Sequence, residues 1–210
     1  QTSHWATVSG SAFTAGGDSD WFIACFSNLL STPVLTFASK FGTLGGNYEG
    51  PTSIAIDSHN DVYVGGFLTS FSGYLTNPVP DTINTGVSLT NTALFGPGFL
   101  LKINGSNYTI SSAISIGYIL GSAQPFVSNV KVEKDGSNEY LWIGGSVYYG
   151  YSAPNKNNLT GTGFKTGVLY LMKFNLNIAA PPIYEFGLGT TASGGAGKWE
   201  FFSDFDFDSY

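Results

Sequence analysis

The segment GPTSIAIDSHNDVYVGG, residues 50–66, decides the fold of this chain. Runs of β-forming residues occupy 52–56 and 62–64, and the polar cluster 57–61 separates them. Runs of this kind, bounded by Asn, Asp and Ser, are typical of β-strands joined by a turn. The segment therefore predicts an antiparallel hairpin whose second strand ends on two glycines.

The composition extends this prediction to the whole chain. The 210 residues include 28 glycines and 9 prolines, and 42% of them are hydrophobic. Because Gly and Pro are spread evenly, no apolar stripe of helical period lasts three turns, so helices are nearly excluded. A chain of this length has room for one sizeable core. We therefore expect a single all-β unit.

Four short β-type elements recur in order along the chain, which indicates an internal repeat. The first element occupies 22–27, 99–104 and 170–175, and the hairpin 53–66 has a counterpart at 130–145. These elements predict three units of four antiparallel strands.

The third copy of the repeat is divided between the two ends of the sequence. Its third strand lies at 205–208, aligned with 54–57, and its fourth lies at 5–11, whose pattern matches 63–66. The chain is thus expected to be a circularly cut repeat. The strand at 5–11 completes the last unit, either in its own chain or in the next copy.

The motifs of the first copy, Asp20 to Ala24, Phe41-Gly42, 50–57 and 60–66, resemble over 18–67 the repeats of secreted and surface seven-bladed β-propellers. The resemblance implies four-stranded antiparallel blades, often without catalysis. We accordingly expect residues 1–210 to form one unit of three propeller-like blades. The expected parts are blade one at 12–67, an insertion at 68–95, blade two at 96–146, an insertion at 147–165, and blade three at 166–210 with strand 5–11.

Three blades are fewer than the about four that a closed propeller needs, so the divided blade favours assembly. A strand shared with the next copy makes a heterologous contact, which grows a filament when it does not close a ring. We expect a structural subunit, or one period of a tandem-repeat chain, in an extracellular filament of head-to-tail copies. The residues expected at the unit boundary are Gln1, Trp5, Ala6, Thr7, Val8, Ser9, Phe205, Phe207 and Tyr210.

The surface predicted from the sequence carries little charge. Charged residues make up 10% of the chain, the net charge is -6, and all eight basic residues are lysine. Such a surface is a poor partner for nucleic acid, and no apolar run approaches the about 18 residues of a membrane span. Abundant Ser, Thr and Asn favour an extracellular chain with covalent glycan. The N-x-Ser/Thr pattern marks Asn104, Asn107 and Asn158 as candidate sites.

Residues suited to catalysis are few. The two histidines, His4 and His59, fall in matching turns, and no metal-type Cys/His spacing occurs. The Asp-rich segment 204–208 lacks the turn glycine and distal Glu of a Ca²⁺ loop, so its Asp residues are expected on the outer face of a strand. We expect no enzyme, no cofactor and no metal, and we expect the single Cys25 to be buried.

An alternative function of a different class is a secreted module that binds carbohydrate or a surface protein. Tyr148, Tyr149 and Tyr151 lie in a Gly-rich connector and could stack against sugar rings. Polysaccharide is therefore a second candidate partner, beside copies of the chain itself.

Overall fold

The computed structural model describes residues 21–27, 30, 32–41, 49–68, 98–116, 124–148, 166–180, 182–190 and 204–207. These residues contain strands and turns but no helix, which confirms the all-β prediction. The strands are β1 (Trp21–Ser27), β2 (Val34–Phe41), β3 (Glu49–Ile56), β4 (Val62–Leu68), β5 (Gly98–Ile103), β6 (Ile110–Ile116), β7 (Gln124–Asp135), β8 (Asn138–Tyr148), β9 (Thr166–Asn175) and β10 (Tyr184–Thr190).

The strands form three antiparallel sheets. We call them the first sheet (β1 and β2), the middle sheet (order β3-β4-β5-β6) and the last sheet (order β7-β8-β9-β10). Each four-stranded sheet is a meander in which neighbours in sequence are neighbours in space. The described residues thus contain two four-stranded antiparallel sheets and one two-stranded sheet, whereas the repeat predicts three four-stranded units.

The strands are not grouped as the predicted blades require. Blade one would join β1 to β4, whereas β4 pairs with β5 and the first sheet stands apart. Within the described residues the sheets do not close and are not arranged as a propeller, so the propeller-like expectation is corrected to open sheets of two and four strands.

Contacts between a glycine and an aromatic ring explain this grouping. Gly66 pairs with Phe99 across β4 and β5, and Gly145 pairs with Tyr170 across β8 and β9. Each ring occupies the space that a side chain on the glycine would need. The entropy cost of closing a loop rises only slowly with its length, so such contacts form across long insertions.

The first hairpins of the middle and last sheets share a register shift at matching positions. A bulge interrupts β3 between Pro51 and Ser53, and β7 carries the same irregularity between Val127 and Asn129. The β1–β2 pair repeats the β5–β6 pair, because the register of each pair shifts near the end of its first strand. The shift lies at Cys25/Phe26 in β1 and at the matching Lys102/Ile103 in β5. The predicted internal repeat is therefore visible in the strand registers.

A side-chain bond supports the same correspondence. The Thr36 hydroxyl of β2 donates to the Cys25 carbonyl at 2.9 Å, and the Ser111 hydroxyl of β6 donates to the Lys102 carbonyl at 3.2 Å. Cys25 thus occupies the position of Lys102. This position is exposed in the first sheet, so the expectation of a buried thiol is wrong.

The three sheets stack in chain order. Trp21 of the first sheet packs with Val64, Phe99 and Leu101 of the middle sheet. The opposite face of the middle sheet, which includes Tyr63 and Leu100, packs against the last sheet in a second cluster. We call these two faces the back and the front of the middle sheet, and the matching faces of the other sheets carry the same names.

Candidate functional site

The contact between the middle and last sheets is the best-defined interface of the chain. Tyr63 and Leu100 on the front of the middle sheet share one cluster with Val130, Ile143 and Met172 on the back of the last sheet. All five are buried. The contact joins a front to a back, so it is heterologous and can be repeated in the same direction.

The two sheets approach most closely at β7. A Cβ on Gly65 would stand 2.5 Å from side-chain carbons of Val127 and Val130. The Val130 amide donates to the Ser53 hydroxyl at 3.0 Å, and the Thr52 hydroxyl donates to the Val127 carbonyl. The absence of a side chain at Gly65 therefore allows β7 to lie against β3 and β4.

The segment 204–207 lies on the front of the last sheet. Lys131 of β7 forms ion pairs with Asp204 at 3.1 Å and Asp206 at 3.5 Å, and its ammonium lies 5.4 Å from the Phe205 ring centroid. Phe207 lies 5.9 Å from Trp142. Of the predicted boundary residues, Phe205 and Phe207 are thus placed on this front.

The sequence predicts a strand at 205–208, but the described part of it, within 204–207, forms no regular strand, although its side chains alternate in exposure. Asp204 and Asp206 are exposed, whereas Phe205 and Phe207 are half-buried. The hydrogen bond between Lys131 and Asp204 raises the pKa of the lysine and lowers that of the carboxyl. The Asp side chains therefore pair with a lysine, which is consistent with a packing role.

The position of this segment matches that of β7 on the preceding sheet. Trp142 corresponds to Tyr63, because Trp142 pairs with Lys173 as Tyr63 pairs with Lys102. Lys131 corresponds in register to Ala55. The segment 204–207 therefore contacts the front of the last sheet where β7 contacts the front of the middle sheet.

A polar network holds the centre of this front together. Glu133 accepts hydrogen bonds from the Trp142 indole at 2.7 Å and from Lys173 at 2.6 Å. The Lys173 ammonium also lies 3.9 Å from the Tyr140 ring centroid. Burial alone would raise the pKa of Glu133, but the two hydrogen bonds outweigh it and lower the pKa.

The rest of this front carries large exposed side chains. Tyr184 of β10 lies 5.9 Å from Trp142 and is 48% exposed, as is Phe186. Phe186 corresponds to Ile114 of the middle sheet, because each is the cross-strand partner of a matching leucine, Leu171 or Leu100. Ile114 is half-buried against the cluster shared by the middle and last sheets.

The back of the first sheet shows the same difference. Phe26 of β1 is 45% exposed, whereas its counterpart Ile103 in β5 is 1% exposed. Phe22 is also exposed, and its counterpart Phe99 is fully buried. The repeat alignment of the sequence identifies the matching positions, such as Phe22 and Phe99. The difference in their burial is visible only in the structure.

The turn between β5 and β6 carries two of the three candidate glycosylation sites. The Asn107 side-chain oxygen accepts hydrogen bonds from the Thr109 amide at 3.0 Å and the Thr109 hydroxyl at 2.7 Å. The Asn104 oxygen accepts from the Ser106 amide and hydroxyl in the same way. Asn107 is exposed and Asn104 half-buried.

The turn between β3 and β4 is a structural network. The buried Asp57 accepts hydrogen bonds from the amides of His59 and Asp61. It also accepts one from the Tyr63 hydroxyl at 3.1 Å. Burial and the nearby Asp57 raise the pKa of that hydroxyl. His59 is exposed at the turn, and its backbone amide donates to the Asp57 carboxylate at 2.9 Å.

A cleft of about 310 Å³ lies between the first and middle sheets. Its walls come mainly from β1 and β3 and include Trp21, Ile23, Ile54 and Val64. Because most of its lining is apolar, the cleft suits packing between sheets, and its hydroxyl residues, Thr52 and Ser53, bond the backbone of β7.

Several predicted residues lie outside the described part of the chain. These are Gln1, His4, Trp5, Ala6, Thr7, Val8, Ser9, Tyr149, Tyr151, Asn158, Asp208 and Tyr210. Tyr148 ends β8. In the described ranges, no three His, Cys, Asp or Glu side chains are grouped as metal ligands, and no helix is long and apolar enough to cross a membrane.

Comparison of the sequence with known protein families and with curated proteins gives no match.

Proposed function

We propose that this chain is a structural subunit, or one period of a tandem repeat, in an extracellular filament built from head-to-tail copies. The observation that carries the proposal is the division of the third repeat unit. The β1–β2 pair reproduces β5–β6, while the segment 204–207 takes the place of β7 on the preceding front. Joining the end of one copy to the start of the next would complete a four-stranded unit.

The alternation of front and back contacts supports assembly in one direction. The first, middle and last sheets already stack in that way within one chain. A contact that joins unlike faces leaves one unsatisfied face at each end of the stack. Further copies can therefore add without a change of geometry, and the expected strand at 5–11 would be shared at each boundary.

The nearly uncharged surface supports an extracellular location with covalent glycan. Only 10% of the residues are charged, and the turn 104–109 presents two N-x-Ser/Thr sites whose hydroxyls bond the Asn side chains. Neutral sugars at such turns would keep a filament of this composition hydrated. This function requires no cofactor.

The experiment that tests the proposal is electron microscopy of the purified 210-residue chain, together with sedimentation over a range of concentrations. We expect unbranched filaments with a repeat that corresponds to one chain. A single monomeric species at every concentration would contradict the proposal.

A carbohydrate-binding module is the alternative, and the exposed Tyr184 beside Trp142 favours it because aromatic rings stack against sugars. Titration with polysaccharide fragments, followed by tryptophan fluorescence, distinguishes the two functions. Saturable binding by a monomer, lost in Tyr184→Ala, would support the binding module instead of the filament.

A further inference from the structure

We propose that the front of the last sheet, around Tyr184 and Phe186, is the docking surface for a second copy of this chain, which covers it with the back of its first sheet, around Phe26. The inference rests on the proposed filament and names the surfaces that join its subunits. It takes the contact between the middle and last sheets as the geometry of the contact between copies.

Matching positions of the repeat carry the argument. On the fronts, Ile114 packs into the shared cluster, whereas its counterpart Phe186 is 48% exposed. On the backs, Ile103 and Phe174 are 1% and 0% exposed, whereas their counterpart Phe26 is 45% exposed. Both repeat positions are therefore covered inside the stack, where Ile114 is half-buried and Ile103 and Phe174 are buried, and both are exposed at the outer faces.

A third matching position gives the same result at β3. Val130 on the back of the last sheet is 2% exposed, because it lies against the front of the middle sheet. Its counterpart Ile54, on the back of the middle sheet, is 54% exposed. In the proposed assembly, the segment 204–207 of the preceding copy completes the first sheet and covers Ile54.

The two outer faces fit each other in chemistry as well as in position. Both expose large apolar side chains, which are the groups that gain most when water is excluded. The lysines on the front, Lys131 and Lys173, already pair with Asp204 and Glu133. Docking therefore buries no unpaired charge in that region, which would be costly.

The occupant is a second copy of the chain because the internal stack supplies the complementary face. The segment 204–207 covers the part of the front near Lys131 and Trp142, whereas Tyr184 and Phe186 lie at the β10 side. In the repeat, β1 of the next copy follows in the same unit as 204–207. Its back carries Phe26, whose counterpart Phe174 belongs to the cluster shared by the middle and last sheets.

Two single variants test this interface. Phe26→Asp changes only the back, and Phe186→Asp changes only the front, so each variant alone should lose filaments. An equimolar mixture should form one-to-one dimers and nothing longer, because the intact front of the Phe26→Asp chain meets the intact back of the Phe186→Asp chain. Leu30→Asp is the matched control, because Leu30 is an exposed apolar residue in the turn after β1. This control should assemble like the unchanged chain.

The outcomes separate the interface from the filament itself. Filaments that persist in both variants would overturn the docking surface and leave the proposed function standing. An unchanged chain that stays monomeric would overturn both. Should either variant fail to fold, hydroxyl-radical footprinting of the unchanged chain answers the same question: Phe26, Ile54, Tyr184 and Phe186 should lose reactivity on assembly. Unaltered reactivity in filaments would reject the interface.

Discussion

The Phe99 ring lies against Gly66 on the neighbouring strand, and a Cβ at Gly66 would stand 2.5 Å from its nearest ring carbon. The same position of the last sheet repeats the arrangement, because a Cβ at Gly145 would stand 2.5 Å from the Tyr170 hydroxyl. An aromatic side chain thus fills the space over a strand glycine in both sheets. In each sheet, this pair of residues lies at the contact between the two strands that a long insertion connects, β4 with β5 and β8 with β9.

We predict that Gly66→Ala destabilises the chain by about 1–3 kcal/mol, the usual cost of overpacking a core. The added methyl group would meet the Phe99 ring on one side and the Gly50 carbonyl on the other, and the backbone group cannot easily move. Urea unfolding followed by circular dichroism measures the change. Gly50→Ala is the control, because nothing lies within 4 Å of its Cβ position. Equal stability of the two variants would contradict the prediction.

The Glu133 network makes stability depend on pH. Burial would raise the pKa of Glu133, but the bonds from Lys173 and Trp142 hold it below the usual 4.5. A carboxyl whose pKa is lowered by folding adds stability above the unfolded value, and this stability is lost as the pH falls through the folded value. We therefore expect the free energy of unfolding to decrease as the pH drops below about 4.5.

The Glu133→Gln variant checks this assignment. It should lose stability at neutral pH and show a smaller further loss on acidification than the unchanged chain. Asp61, whose pKa is also lowered, keeps part of the acid sensitivity in the variant through its pair with Lys102. Urea unfolding at several pH values measures both slopes. An identical pH dependence in the two proteins would show that Glu133 is not responsible.

Lys131 should hold the segment 204–207 on the last sheet. We predict that Lys131→Met speeds amide hydrogen exchange at 204–207 while it changes global stability little, because exposed ion pairs contribute little. Lys134→Met is the control on the same strand, since Lys134 is exposed. Exchange rates at 204–207 that match in the two variants would mean that the contacts of Phe205 and Phe207 alone hold the segment.

Much of this fold could be predicted from the sequence, because strand periodicity and repeated elements are local properties of the chain. The residues around 53–66 and 130–145 predict their hairpins, and the structure confirms both. The grouping of hairpins into sheets could not be predicted in this way. It depends on contacts between residues far apart in sequence, such as Gly66 with Phe99, which join strands on either side of a long insertion.

At the candidate surfaces too, exposure that depends on neighbours in sequence could be predicted, whereas exposure that depends on strand pairing could not. The alternation in 204–207 predicts outward-facing Asp residues, and the structure places Asp204 and Asp206 at the surface. The exposure of Cys25 was not predictable from its apolar neighbours. Cys25 occupies the position of Lys102, and only the strand registers reveal this equivalence.

The turn after β5 should carry glycan on Asn107 in preference to Asn104. Asn107 is exposed, and its side-chain oxygen accepts bonds from the amide and hydroxyl of Thr109, so the amide nitrogen faces away from those donors. Expression in a host that attaches N-linked glycan, followed by mass spectrometry of the peptides, measures occupancy. Thr109→Ala should abolish modification of Asn107, Thr109→Ser should retain it, and Ser106→Ala should leave it unchanged. Occupancy of Asn107 that survives Thr109→Ala would contradict the prediction, because the hydroxyl of the third residue is what defines the acceptor pattern.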